Sequence, residues 1–115
     1  MPRRGEVYDD LPAPRRGGGS GGYHAAVVVQ SDVATAALAT VLMAPISDAK
    51  KHRVGSFARY LPAARYAFLD KDSVALPKWL FVVEKASLKE HKRLGQIGEN
   101  DIAAIEVLIR DLVGP

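Results

Sequence analysis

The chain has no cysteine. That excludes a disulfide framework, a Cys-ligated zinc and a thiol nucleophile together, and it fits a reducing compartment without requiring one. Histidine is scarce as well, with only His24, His52 and His91. Their spacing matches neither HExxH nor a His-carboxylate ligand set, so no metal site is expected. The glycine run at 17–22 lacks the GK[ST] and the strand-to-helix setting of a phosphate cradle, and Ser47 has no GxSxG elbow around it. No cofactor is expected. Long apolar runs are missing: nothing approaches the roughly 18 to 20 residues of a membrane span, and no apolar stretch follows the basic start at 1–4. A cytoplasmic protein without a membrane partner is expected, and no internal repeat is present.

What remains is the composition of an ordinary globular chain. The 115 residues suit a single domain over 1–115, with 48% apolar and 25% charged residues. A net charge of +3 and a pI near 9.3 permit nucleic-acid binding without demanding it. The positive charge is clustered, at Arg3 and Arg4, at Arg15 and Arg16, and at Lys50, Lys51 and Arg53. Each cluster reads equally as a solvated face.

The stretch GGYHAAVVVQSD at 21–32 reads as a buried central strand: two glycines, His24, five small or β-branched apolar residues, then turn residues. Before it, residues 5–8 form a short strand with Val7 turned inward, and residues 9–22 are too rich in glycine and proline for regular structure. That segment is expected to be a flexible loop, either a flap over a ligand or a disordered linker. Residues 33–39 form a short helical turn, and TVLMAPI at 40–46 is the next strand, with Ser47 just after it. Residues 48–55 are a charged connection. Further strands are expected at 56–61, 73–76 and 79–83, with irregular structure at 63–68, a charged turn at 69–72, a helical turn at 84–91 and an extended return at 93–97. Trp79 sits at a rim or interface in this reading. The last element is a helix: Ile102, Ile105, Ile109 and Leu112 share one face, Glu106 and Arg110 pair on another, Glu99 and Asp101 suit its first turn, and Gly114 ends it.

GEVY at 5–8, GGYHAAVVVQSD, TVLMAPISD at 40–48 and LDKDSVAL at 69–76 occur in the order and at the spacing of the blocks of the MazF/PemK family of toxin endoribonucleases, which the chain resembles over nearly its whole length. The resemblance implies a mainly β (α+β) fold, an SH3-like antiparallel barrel of the MazF/CcdB type with a C-terminal helix, assembled as a homodimer. It also implies cleavage of single-stranded RNA at a short sequence without metal or cofactor, leaving a 2′,3′-cyclic phosphate and a 5′-hydroxyl. A cognate antitoxin would fill the RNA groove, and the loop at 9–22 would be a mobile flap beside it.

The family's catalytic arginine, at the start of the central strand, falls on His24, and its hydroxyl falls on Ser47. The hydroxyl change is mild. The arginine change is not, because a guanidinium stays charged while an imidazole titrates near neutral pH. Histidine suits proton transfer better and a charge clamp worse, so Arg15, Arg16, Lys50, Lys51 or Arg53 would supply the positive charge at phosphates. The plain alternatives are a strand histidine bonded to a backbone carbonyl and a turn serine bonded to its own backbone. His52 and His91 read as surface residues. PKWLFVV stands where the family has a polar run, so Trp79 and Phe81 either stack on bases or serve core or dimer contacts, the second reading being preferred. The lost arginine leaves two alternatives: a CcdB-like toxin that binds DNA gyrase without cutting, and an inactive relative that regulates its operon.

Overall fold

The computed structural model describes residues 1–13, 22–52 and 57–115, with residues 12–13 and 22–24 in backbone only. Seven strands form one curled antiparallel sheet: β1 (Glu6–Ala13), β2 (Gly22–Val28), β3 (Thr40–Asp48), β4 (Arg59–Leu61), β5 (Ser73–Ala75), β6 (Phe81–Glu84) and β7 (Arg93–Gln96), with helices α1 (Asp32–Ala37) and α2 (Glu99–Val113). The strand order is β4-β5-β3-β2-β1-β7, and β6 also pairs with β3. β3 is the spine: one edge pairs with β2, while the other pairs with β6 through Thr40 to Met43 and with β5 through Ile46 to Asp48. A strand shared by two partners along one edge makes the sheet curl into a half-barrel.

Both faces are packed. One carries Val7, Val27, Ala44 and Ile46 against Leu61, Tyr66, Ile97 and the α2 residues Ile102 and Ile105. The other carries Tyr8, Leu11, Ala26, Val28, Met43 and Phe81. The expected central strand is therefore buried as read, with Ala26, Val27 and Val28 sealed. Phe81 is core, in line with the preferred reading of its role.

Several boundaries differ from expectation. Strand β1 does not stop at Tyr8 but runs to Ala13, paired with β2 down to Ala13 opposite Gly22, so the ends of the 9–22 segment are regular structure. An irregularity between Tyr8 and Leu11, with Asp10 at a φ of 59°, lets the strand continue past polar residues; aspartate tolerates that left-handed backbone. Residues 14–21 lie outside the described residues. Tyr8 is also buried, not only Val7, because its hydroxyl donates to Glu6, whose carboxylate also meets Arg93 at 2.6 Å. Burial and the adjacent Glu6 charge push the Tyr8 hydroxyl up to about 12. Residues 77–79 form a 3-10 turn in place of the expected strand start, since Pro77 has no N–H to pair.

Helix α2 covers the first core face with the expected stripe, except that Leu112 is 40% exposed because the helix outruns the sheet. Glu106 pairs with Arg110 at 2.5 Å as expected, and Gly114 caps the end at a φ of 92°. Among the described residues no helix is long and apolar enough to cross a membrane.

Gly95 on β7 has a steric reason: a Cβ there would lie 2.4 Å from the Phe68 ring. The Gly95→Ala variant is expected to lose about 1 to 3 kcal/mol by overpacking, read as a lowered midpoint of thermal or urea unfolding.

Candidate active site

Ser47 lies inside β3, not after it, because β5 pairs with the strand's last residues and Val74 stands opposite Ser47. It opens into a hollow of about 450 Å³ lined by Ala25 and Ile46 of the sheet, by the apolar Phe68, Leu69 and Leu94, and by the charged Asp9, Asp48, Asp70, Lys51 and Lys71. Strand β2 runs beside β3 with Ala26 opposite Pro45 and Val27 opposite Ala44. The pairing ends at Ala26 opposite Pro45; counting two residues further along each strand in the same register would bring the His24 backbone level with Ser47. The His24 backbone pairs on its other edge with Leu11. Its imidazole, with Arg15, Arg16 and Arg53, lies outside the described residues.

The chain turns sharply after Ser47. Asp48 accepts the Lys50 N–H at 2.9 Å and caps a 3-10 turn at Ala49–Lys51. That backbone hydrogen bond, helped by Lys71 at 3.5 Å, holds the Asp48 carboxyl below the usual carboxylate range. Asp72, across the hollow's edge, is likewise held low by the Ala63 N–H and the Tyr60 hydroxyl. Both stay ionised at neutral pH and fix the loops around the hollow.

The 3-10 turn returns His52 to the strand, where its Nε2 lies 3.1 Å from Ser47 Oγ. The ring meets Trp79 edge to face, with centroids 5.7 Å apart and planes at 70°. His52 is half-buried and not the surface residue expected, because the capped turn folds it inward instead of outward. His91 is exposed as expected. Trp79 is half-buried beside His52, with the Lys78 ammonium 4.8 Å from its ring centre.

The structure separates the two lysines that the sequence grouped. Lys51 lines the Ser47 hollow, whereas Lys50 lines a neighbouring one with Tyr60, Ala63 and Asp72. Three carboxylates, from Asp9, Asp48 and Asp70, and the ammonium groups of Lys51 and Lys71 line the Ser47 hollow, so its described wall is mixed in charge.

A second polar centre sits under the start of α2. Asp101, 1% exposed, accepts from Arg59 Nε at 2.8 Å, from Arg65 Nη1 at 2.8 and 2.9 Å and from the Tyr66 hydroxyl, and that hydroxyl in turn accepts the Gly98 N–H at 2.8 Å. Burial pushes the Asp101 carboxyl up, but hydrogen bonds from Tyr66, Arg65 and Arg59 outweigh it and leave the group lowered. With every oxygen engaged by the protein itself, this centre reads as a brace between α2 and the 59–66 segment. Among the described residues no group of three His, Asp or Glu side chains could hold a metal ion.

Residues 3–113 match the family model described as PemK-like, MazF-like toxin of type II toxin-antitoxin system. The chain is 34% identical over 91 residues to the endoribonuclease MazF of Staphylococcus epidermidis, covering 78% of this chain and 74% of that one. Its fold superposes on a mycobacterial endoribonuclease solved with its cognate antitoxin (TM-score 0.74, 16% identity, 99% and 96% of the two chains). A MazF from Deinococcus radiodurans gives the same TM-score at 18% identity, over 99% and 97%. A half-barrel with a C-terminal helix, a family model spanning almost the whole length and a relative above 30% identity agree: the chain belongs to the PemK-like, MazF-like toxins of type II toxin-antitoxin systems.

Proposed function

We propose that this toxin is an endoribonuclease whose domain spans 1–115 and that the hollow at Ser47 is where it cuts single-stranded RNA. The observation that carries the assignment is the strand geometry: the half-buried Ser47 hydroxyl near the end of β3 lines a hollow of about 450 Å³, and the β2–β3 register, continued by two residues, brings the His24 position level with it. In the proposed reaction the 2′-hydroxyl attacks the adjacent phosphorus, the P–O5′ bond breaks, and the ends are a 2′,3′-cyclic phosphate and a 5′-hydroxyl. The 2′-hydroxyl gives up a proton and the leaving 5′-oxygen takes one up; His24 carries out one of these transfers and water the other. The Ser47 hydroxyl donates to a non-bridging oxygen as charge builds on it. Lys51 and Lys71 on the hollow wall, with Lys50, Arg15, Arg16 and Arg53, meet flanking phosphates.

The matched family is that of PemK and MazF, which favours cutting over the gyrase-binding and regulatory alternatives. The mycobacterial relative was solved with its cognate antitoxin. By extension, a cognate antitoxin covers the hollow here, the toxin acts in the cytoplasm, and it works as a homodimer. Purified protein incubated with a long transcript in excess EDTA is expected to give discrete cuts at one short sequence, with cyclic phosphate on each upstream fragment. Intact RNA under those conditions, or cuts that require added metal, would overturn the proposal.

A further inference from the structure

Among the described residues, the imidazole that touches the proposed hydroxyl is that of His52, and nothing in the family match assigns it a task. We infer that His52 is the positioning residue of Ser47: its Nε2–H donates to Ser47 Oγ and thereby turns the serine hydrogen toward the scissile phosphate. This rests on the reading of Ser47 as a phosphate donor.

A serine hydroxyl has one hydrogen to give and two lone pairs to offer. At 3.1 Å, Nε2 and Oγ share one hydrogen, and its direction depends on the imidazole tautomer. If Ser47 gave its hydrogen to His52, only lone pairs would face the phosphate, and they would repel the charge that builds on its oxygens. If His52 gives, Oγ accepts with one lone pair and its own hydrogen is left for the phosphate. Only the second arrangement stabilises the transition state.

The surroundings hold the ring in place to do this. The Asp48-capped turn returns the chain so that His52 meets Ser47 five residues later, and the edge-to-face contact with Trp79 sets the plane of the imidazole. Trp79 belongs to the 3-10 turn Pro77–Trp79, which packs on both β3 and α2, so the contact is anchored in the fold and not in a loop tip. The hollow's lining includes Ser47 and Lys51 but not His52. The imidazole meets Ser47 from the turn that follows β3, while Ser47 itself faces the hollow.

The test compares His52→Phe, which keeps a ring against Trp79 without a donor, with His52→Gln, which keeps an N–H near the Nε2 position. Each is made in the wild-type and Ser47→Ala backgrounds, with circular dichroism to check folding. In single-site RNA cleavage, His52→Phe is expected to lower kcat by roughly 10-fold to 100-fold, the range that loss of an orienting partner costs elsewhere, with KM within about twofold. His52→Gln should recover most of that loss. In the Ser47→Ala background His52→Phe should cost nothing more. An undiminished rate for His52→Phe, or an equal loss in both backgrounds, overturns the inference while leaving Ser47 in its role. A wild-type rate for Ser47→Ala instead overturns the underlying reading. Should His52→Phe not fold, nitrogen NMR of the intact protein decides: a proton on Nε2 in the neutral ring is expected, and a proton on Nδ1 alone contradicts it.

Discussion

Replacing Ser47 by alanine is expected to lower RNA cleavage by about 10² to 10³-fold with the fold unchanged, since that is the usual cost of deleting one donor to a developing oxyanion. The serine is a suitable place for such an effect because the strand fixes it. It lies within β3 where that strand pairs with β5, and Val74 lies opposite it. The substitution removes one oxygen from the edge of a half-buried site and creates no void in either core. The loss should therefore appear in kcat more than in KM, because the hydrogen bond strengthens only as the phosphorane forms. Single-turnover rates on a transcript with one mapped cut site measure it, and Ser47→Thr, which keeps the hydroxyl, should retain most of the activity.

The largest expected effect on stability lies elsewhere. Asp101→Ala is expected to cost about 3 to 5 kcal/mol, because it leaves Arg59, Arg65 and the Tyr66 hydroxyl without the acceptor that they converge on. Urea unfolding at neutral pH measures this, with thermal unfolding as a check. The same centre sets an acid limit. The Asp101 carboxyl is held below its ordinary value in the folded chain, so its share of the stability is fully present above the unfolded value, about 3.9, and is lost as pH falls through the folded one. The unfolding midpoint of the wild type should thus fall below about pH 4, and the Asp101→Ala variant should show less of that fall. An acid profile identical in the two proteins would remove Asp101 from this role.

Much of the architecture was readable from the chain because its signals are local. The apolar run at 25–29 could bury both sides only as an inner strand, and β2 does so. The isoleucines of α2 repeat at helical spacing, and Ile102 and Ile105 are sealed under the sheet. Ser31, at the end of the central run, caps α1 by accepting the Ala34 N–H. The missed features depend on partners distant in sequence. Strand β1 continues through Asp9, Asp10 and Pro12, residues that argue against a strand, because β2 supplies a backbone edge to pair with. Asp101 reads as a complement to the helix dipole, a sufficient local reason for an acidic first turn, and its arginines lie 36 and 42 residues away. The Ser47 and His52 contact had a partial signal: Ser-Asp followed by a short turn and a histidine is a capped reversal. What hides it is Trp79, which holds the ring from another element.

The central claim is that the scissile phosphate sits over Ser47. It is tested most directly by a crystal structure of the protein with an RNA oligonucleotide carrying 2′-deoxyribose at the mapped cut nucleotide, which binds but cannot be cleaved. The account requires a non-bridging oxygen of that phosphate within about 2.6 to 3.2 Å of Ser47 Oγ, with the His24 imidazole facing the 2′ position or the 5′-oxygen. A strand bound with its cut phosphate at another face, such as the arginines around Asp101, would contradict it.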